Sequence, residues 1–382
     1  MKSNTQYPVP KLSNLIKAFA SNINDKEAPL FDDWKEENDT ILSTSRTAWS
    51  LLAIALFRIK VKNDHSISIW FPDYFCNSSI APLREINANL VFYPILRDGS
   101  PDIEFCSQLI PSSGKPDLFV GVHFFGKHMN MENAYTFAKQ NDAWLVEDSA
   151  HILIPDNNLI SYGHFVLFSP HKFLAIPDGA FLVAKADKLL KDYSIEVNPL
   201  KSIIEEMSKD SKINFFRTSI WVIKRTLQKL GIRRRANLGF SMSEDPRIMN
   251  TSSFISPPIS KFSKKLLFVL IEDLKEEIEI RKQNEKKWKY LLKSMNIQFQ
   301  EIFESKKARS PYLFGIELET SKISEELYRA LNLRGIPVST WPDLPPELDS
   351  YRKRHEKTVS LRMRSLFFPI HSNFDVDRYL SG

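Results

Sequence analysis

The stretch "VLFSPHKFLAIPDGAFLVA", residues 166–184, places a charged lysine, Lys172, in a short turn between two apolar segments. Loops at strand ends are where α/β enzymes commonly carry their chemical groups. A lysine enclosed by apolar neighbours loses solvation of its ammonium, so its pKa falls and the free amine becomes a nucleophile. The alternative is an ordinary lysine whose side chain extends from a strand end into solvent. The segment alone leaves both interpretations open.

The composition is that of a globular protein. The chain has 382 residues, enough for two domains, and 43% of them are hydrophobic while 26% are charged. The first residues, "MKSNTQYPVPKLSN", lack the apolar core of a signal peptide, and no apolar run reaches membrane-spanning length. Its two cysteines, Cys76 and Cys106, indicate a reducing compartment. We therefore expect a cytoplasmic protein that does not associate with membranes.

The net charge of +6 is modest and suits an anionic ligand such as a phosphate or a nucleotide. The densest basic run is "KRTLQKLGIRRR", residues 224–235. It has no interleaved aromatic residues and no recognised nucleic-acid-binding motif, so it favours a solvated helix end over a nucleic-acid site. We expect no nucleic-acid partner.

The first two-thirds of the chain alternates helical and strand patterns. Apolar residues at helical spacing predict a helix over 45–60, and the nearly continuous apolar run "DLFVGVHFF" (117–125) is typical of a strand covered on both faces. "AWLVED" (143–148) predicts another strand. This alternation predicts an α/β fold with a mostly parallel sheet flanked by helices.

The domain division is predicted from a change in pattern near residue 250. Residues 1–250 form the large α/β domain, and residues 251–382 form a smaller α+β domain. The smaller domain begins near the Ser/Pro-rich "NTSSFISPPIS" and continues with one long helix over 261–295.

Four segments along the chain carry groups that one cofactor site requires. The strand "AWLVED" ends in Glu147 and Asp148, and the next strand ends before Lys172. A lysine that forms a Schiff base and a carboxylate that keeps the pyridine nitrogen protonated are what pyridoxal phosphate needs. "STSRTAW" (43–49) begins a helix whose N–H groups favour a phosphate, and "FPDYFCNSS" supplies an aromatic ring, Phe75. Each feature alone has an ordinary structural explanation, but their order favours this cofactor.

In these segments the chain resembles the DegT/DnrJ/StrS sugar-nucleotide aminotransferases, pyridoxal-phosphate enzymes of fold type I. The resemblance runs from about residue 40 to the C-terminus and is best over "VGVHFFGKHMNMENAYTFAKQNDAWLVEDSAH", residues 120–151. "SRTAW" is similar to the family's Ser-Gly-Thr-Ala turn, and "FPDYFCNSS" to its Pro-Ser-Tyr-Thr-Phe segment. "SLFFPIHSNF" (365–374) is similar to its closing Leu-Pro-hydrophobic-His segment.

The resemblance implies roles for individual residues. Lys172 is the Schiff-base lysine, Asp148 pairs with the pyridine nitrogen, and His151 contacts the cofactor near its phenolic oxygen. The remaining implied contacts are ring stacking and phosphate binding, and they fall on Phe75, Arg46, Thr47 and Ser169. The resemblance also implies a homodimer, and we expect no metal.

The implied reaction is transfer of an amino group from an amino-acid donor, glutamate, to a keto-sugar nucleotide in polysaccharide or other amino-sugar biosynthesis. Several alternatives stay open, and two departures from the family's pattern motivate the non-catalytic one. Only two residues separate Ser169 from Lys172, fewer than the family usually has, and its Asn-Tyr-Arg segment has no clear match near "RIMNTSSFI" (247–255). The alternatives are a lyase or epimerase, the dehydratase branch in which histidine replaces the lysine, and a non-catalytic member that binds nucleotide sugars.

Overall fold

A computed structural model describes most of the chain, and a seven-stranded sheet lies at its centre. The described residues are 5–21, 34–155, 161–209, 215–229, 257–304, 308–341 and 343–379. The seven strands of the sheet are β1 (Thr40–Thr44), β2 (Ser68–Pro72), β3 (Asn89–Tyr93), β4 (Leu118–Val122), β5 (Trp144–Ser149), β6 (Phe165–Phe168) and β7 (Ala180–Ala184).

The sheet is mixed, with the strand order β1-β7-β6-β5-β4-β2-β3. Its neighbours from β3 through β6 pair in parallel, whereas β7 is antiparallel to both β6 and β1. Every residue of β4 and β5 is buried, as expected for central strands covered on both faces. The predicted α/β class with a mostly parallel sheet is confirmed.

Helices flank this sheet and connect its strands. The helices before residue 260 are α1 (Leu12–Ala20), α2 (Thr47–Lys62), α3 (Asn77–Glu85), α4 (Ile103–Ser113), α5 (Glu132–Gln140), α6 (Pro170–Phe173), α7 (Ala186–Tyr193), α8 (Asn198–Lys209) and α9 (Phe215–Lys229). The later helices are α10 (Lys261–Leu270), α11 (Leu274–Ser294), α12 (Ser321–Leu333) and α13 (Glu356–Arg364). Within the described residues, no helix is both long enough and apolar enough to cross a bilayer.

The prediction of a single helix over 261–295 is wrong, because the structure has two helices there. α10 ends at Leu270, the short 3-10 turn Ile271–Asp273 follows, and α11 then begins. α10 packs its apolar residues with the core of the large sheet, while the second half of α11 places Trp288 in a separate core. The tightened turn therefore lies between two segments that pack in different cores.

A second, antiparallel sheet organises the C-terminal region. Its order is β10 (Ser365–Phe368), β9 (Phe314–Glu317) and β8 (Gln300–Glu301). The apolar side chains of this sheet, with those of α11 and α12, form the smaller core. The division of the chain at residue 250 stays a prediction. α10 lies after that residue in the sequence, and it packs with the core of the large sheet.

The topology brings several loops to one edge of the large sheet. β2, β4, β5 and β6 are parallel, so their carboxyl ends lie on the same side. β7 begins at that edge, and β1 ends there because Thr44 pairs with Ala180. The start of α2, the lysine turn and the segment after Asp148 are therefore neighbours in space.

Candidate functional site

A small cavity lies at this edge of the sheet. Four of the residues predicted from the sequence line it: Phe75, Asp148, His151 and Lys172. The other lining residues are mostly apolar or aromatic, namely Tyr74, Cys76, Ser79, Val122, Phe124, Ala150 and Trp341. An apolar cavity with a few convergent polar groups is the usual form of a small-molecule site.

Lys172 enters the cavity from α6, a one-turn helix that begins after Ser169. The Lys172 backbone N–H donates to the Ser169 carbonyl at 2.9 Å, which closes the turn. Burial lowers the pKa of the Lys172 amine, and the negative charge of Asp148 opposes part of that effect. The ordinary solvent-exposed lysine considered above does not describe this side chain.

Asp148 lies one strand away, near the carboxyl end of β5. It is the register partner of Val122 on one side and of Leu167 on the other, and its side chain is buried. Its Oδ1 accepts the Ala150 N–H at 2.9 Å. Burial raises the pKa of this carboxyl group, while the Lys172 charge opposes the rise. The cavity thus encloses one amine and one carboxyl group that interact electrostatically.

His151 contacts the lysine directly, with 3.1 Å between its Nε2 and the Lys172 Nζ. Its other nitrogen, Nδ1, accepts the Phe125 N–H at 3.4 Å. A neutral imidazole whose Nδ1 accepts carries its proton on Nε2, a tautomer inferred here from these hydrogen bonds. Burial, aided by the Lys172 charge, lowers the pKa of His151 well below its ordinary value. The His151 N–H therefore points at the lysine nitrogen, which accepts it only as a free amine.

An aromatic cage fixes the imidazole ring. His151 stacks on Tyr312 with 4.5 Å between ring centroids, and on Phe125 with 5.4 Å; Trp341 meets it edge-on at 5.0 Å. Sequence reasoning missed Tyr312 and Trp341, which lie more than a hundred residues beyond the strand-end motifs. Their only sequence signal is that they are aromatic residues in the C-terminal region.

A glycine allows the cage to close. Gly126 follows Phe125 with φ +83°, and a Cβ added there would lie 2.1 Å from the Ser310 carbonyl oxygen. The two backbones can approach this closely only when residue 126 has no side chain. The contact holds the turn that carries Phe125 against the segment that leads to Tyr312.

Three predicted residues, Arg46, Thr47 and Ser169, are absent from the lining of the cavity as the described residues define it. Arg46 precedes α2 without capping it, and its guanidinium donates to the Ser45 and Pro177 carbonyls at 2.9 and 3.0 Å. Burial lowers the pKa of Arg46 to about 10, which Asp178 partly opposes.

A chain of hydrogen bonds nevertheless joins the lysine turn to the start of α2. The Ser169 Oγ lies 2.9 Å from the His171 Nδ1, which lies 2.9 Å from the Gly179 carbonyl oxygen. The Gly179 N–H in turn donates to the Ser45 carbonyl at 2.9 Å. Arg46, the residue before this 16-residue helix, makes no side-chain cap, and the start of a helix is a position that favours an anion.

Glu147, the first acid of the predicted pair, faces away from the cavity because successive strand residues point to opposite sides. The His123 Nε2 lies 2.9 Å from the Glu147 carboxylate, which also accepts the Gly163 N–H. Burial works to raise the pKa of Glu147, but the His123 and Gly163 hydrogen bonds outweigh it and the pKa falls below its ordinary value. Its role is structural.

Two other lining residues complete the picture of the cavity. Phe75 is buried and packs on Phe71 with ring centroids 4.8 Å apart. Cys76 is half-buried and free, with its Sγ 3.1 Å from the Ser78 Oγ.

Across the described ranges, no group of three or more His, Cys, Asp or Glu residues could hold a metal ion. The segment 247–255, where the Asn-Tyr-Arg motif has no clear match, lies outside the described residues.

The fold defines the chain as an α/β protein built like the fold-type I pyridoxal-phosphate enzymes. Among solved structures, Helicobacter pylori PseC, an aminotransferase involved in the biosynthesis of pseudoaminic acid, matches with a TM-score of 0.67 and 15% identity; the match covers 100% of this chain and 96% of that chain. The putative sugar aminotransferase Spr1654 from Streptococcus pneumoniae, in its PLP form, has a TM-score of 0.69 and 14% identity over 99% and 96%.

A dehydratase is among the similar structures as well. The E. coli GDP-4-keto-6-deoxy-D-mannose-3-dehydratase with bound hydrated PLP has a TM-score of 0.65 and 14% identity, covering 100% of this chain and 98% of that chain. No protein-family model and no curated protein sequence matches this chain. At these identities the likeness establishes the fold, and it confirms the predicted fold class.

Proposed function

We propose that this chain is a pyridoxal-phosphate aminotransferase of the DegT/DnrJ/StrS family, which transfers an amino group from glutamate to a keto-sugar nucleotide. One observation carries the proposal: the Lys172 amine and the Asp148 carboxyl group line a single cavity, and His151 contacts the amine. The similar solved structures support it, because two of those described above are named as aminotransferases.

The chemistry of the donor set fits the cofactor. Lys172 would hold it covalently, Asp148 would pair with its ring nitrogen, and Phe75 lines the same cavity. The uncapped start of α2, with Arg46 and Thr47, would receive the phosphate. When bound, pyridoxal phosphate supplies a ring that accepts electrons from the carbon being deprotonated.

The protein's own groups account for proton transfer. When Lys172 is not bonded to the cofactor, it would be a free amine in an enclosed site. Its Nζ can then remove the proton from the α-carbon of the amino-acid donor and give that proton up again later in the reaction. The His151 Nε2 lies 3.1 Å from Nζ, so a hydrogen bond between them would hold the amine in place until its lone pair is needed for proton transfer. Tyr312 and Trp341 cover the imidazole and keep water from competing for its N–H.

The geometry of the lysine turn argues against the dehydratase alternative. A dehydratase of this family would use a histidine in place of the lysine, and His171 is the adjacent candidate. In the described structure His171 bonds the Gly179 carbonyl and Ser169, and it is not part of the cavity lining. Lys172 lines the cavity and His171 does not, which supports the aminotransferase over the dehydratase.

Three further features belong to the proposal. A homodimer follows from the family resemblance, as does a place in polysaccharide or other amino-sugar biosynthesis. A cytoplasmic location is proposed from the two cysteines, which indicate a reducing compartment. Gel filtration with light scattering tests the first of these: a mass twice that of the chain is expected, and a monomer at assay concentration would contradict it.

Absorbance spectroscopy tests the proposed reaction. Purified protein mixed with pyridoxal phosphate should develop a visible band that fades on adding glutamate and returns on adding a keto-sugar nucleotide. Lys172→Ala should not develop the band, while His171→Ala, a change at the adjacent residue, should develop it. A protein that stays colourless with added cofactor would instead support the non-catalytic alternative. A lyase or epimerase would form the band but would not transfer the amine of glutamate.

A further inference from the structure

Arg281 is a buried cation on α11, behind the cavity and outside its lining. Only 2% of its surface is exposed. Its guanidinium makes four hydrogen bonds: Nε donates to Glu277 at 2.6 Å, Nη2 to the Phe173 carbonyl at 2.9 Å, and Nη1 to the Tyr312 and Pro311 carbonyls at 3.0 and 3.4 Å. The charge is therefore fully paired within the protein.

The guanidinium of Arg281 acts as a fork of N–H donors, and its two ends bond two different segments that position Lys172. Phe173 directly follows Lys172, so a bond to its carbonyl fixes the end of the one-turn helix that carries the amine. Tyr312 carries the ring that stacks on His151, the residue in contact with the amine. The planar guanidinium of Arg281 thus connects its own helix to the segments at Phe173 and Tyr312, which are far apart in the sequence.

Packing alone does not require a charge at this position. A buried cation carries a large desolvation cost, and an apolar side chain of similar volume usually fills such a space at least as well. A guanidinium has a rigid set of donors that can bond acceptors on two sides at once, which an ammonium on a flexible stem cannot reproduce. The arrangement of the acceptors here matches that property.

We propose that Arg281 is a positioning residue that keeps Lys172 and the His151–Tyr312 stack in register, and so limits the access of water to the lysine amine. The proposal rests on the proposed function in that Lys172 is the reactive amine. Loss of the fork would let α6 and the 311–312 segment separate. Water would then reach the Lys172 amine, and fewer amines would be unprotonated at neutral pH.

The pH profile of Lys172 acetylation measures this effect without cofactor. The full chain is first dialysed against hydroxylamine to remove any bound aldehyde, then labelled with trace acetic anhydride across a pH series. Mass spectrometry follows the Lys172 peptide. The variants are Arg281→Lys, which keeps the charge and loses the fork, and Arg281→Met, which loses both. The matched control is Arg329→Met, which removes an exposed i,i+4 pair with Glu325 on α12.

Both Arg281 variants should shift the labelling midpoint to higher pH and slow labelling near neutral pH by about tenfold, the effect of one pKa unit on the free-amine fraction. Arg329→Met should leave the midpoint unchanged. An Arg281→Lys profile identical to that of the starting protein would overturn the proposal, because charge alone would then suffice. So would reduced thermal stability with an unmoved midpoint. If Arg281→Met does not fold, Arg281→Lys still decides the matter.

The outcome is separable from that of the proposed function. A shifted midpoint in a protein that never binds pyridoxal phosphate would support the role of Arg281 and reject the aminotransferase. A working aminotransferase with an unmoved midpoint would do the reverse.

Discussion

Replacing Gly126 by alanine tests the backbone contact that holds the aromatic cage together. A left-handed φ costs a residue with a Cβ about 1–2 kcal/mol, and Gly126 has φ +83°. The new Cβ would also lie 2.1 Å from the Ser310 carbonyl oxygen and 2.6 Å from its carbon, so two backbone segments must separate. Overpacking of this kind costs a further ~1–3 kcal/mol. Together these give a destabilisation of about 2–5 kcal/mol.

Urea unfolding measures this loss, and a second glycine isolates its cause. Gly335 has φ +77°, with nothing within 4 Å of an added Cβ. Alanine at Gly335 should cost only the backbone term, about 1–2 kcal/mol. Gly126→Ala should exceed it by the cost of the contact. Equal losses at the two positions would refute the argument from the Ser310 approach.

Three further predictions concern charge. Burial lowers the pKa of His164 to about 4 and of His371 to about 3; both depressed values stabilise the fold above the ordinary histidine pKa, and the benefit is lost as pH falls. Urea unfolding at about pH 7.5 and 5.5 should differ by ~1.3 kcal/mol for each histidine, and equal stabilities would contradict this. Arg46→Met should weaken the binding of pyridoxal phosphate about ten- to a hundredfold but leave the binding of pyridoxal, which has no phosphate, unchanged. Titration of the protein with each compound measures this, and equal losses for the two compounds would exclude a role of Arg46 in phosphate binding. Asp148→Asn removes the charge that raises the pKa of Lys172, so the acetylation midpoint of Lys172 should move to lower pH, and an upward shift would contradict the pairing.

Strands with long apolar runs were predictable from the sequence, and the edge strand was not. β4 and β5 are buried along their whole length, which requires apolar residues at nearly every position. β1, "TILST", is short and only Thr44 in it is buried. Its place in the sheet depends on pairing with β7, about 140 residues later, and a local pattern carries no information about that pairing.

The candidate site divides in the same way. Asp148 and Lys172 were predictable because parallel strands bring their carboxyl ends to one edge. Tyr312 and Trp341 were not, because the packing of the C-terminal region against the sheet brings them to His151. The orientation of His171 also needed the structure, since adjacent residues of a helical turn point about 100° apart.

Reductive trapping tests the central claim most directly. The protein is incubated with pyridoxal phosphate, reduced with borohydride, digested and examined by mass spectrometry. The account predicts one dominant modified site, Lys172, and loss of that label in Lys172→Arg. Labelling spread over exposed lysines such as Lys293, with Lys172 unmodified, would contradict it.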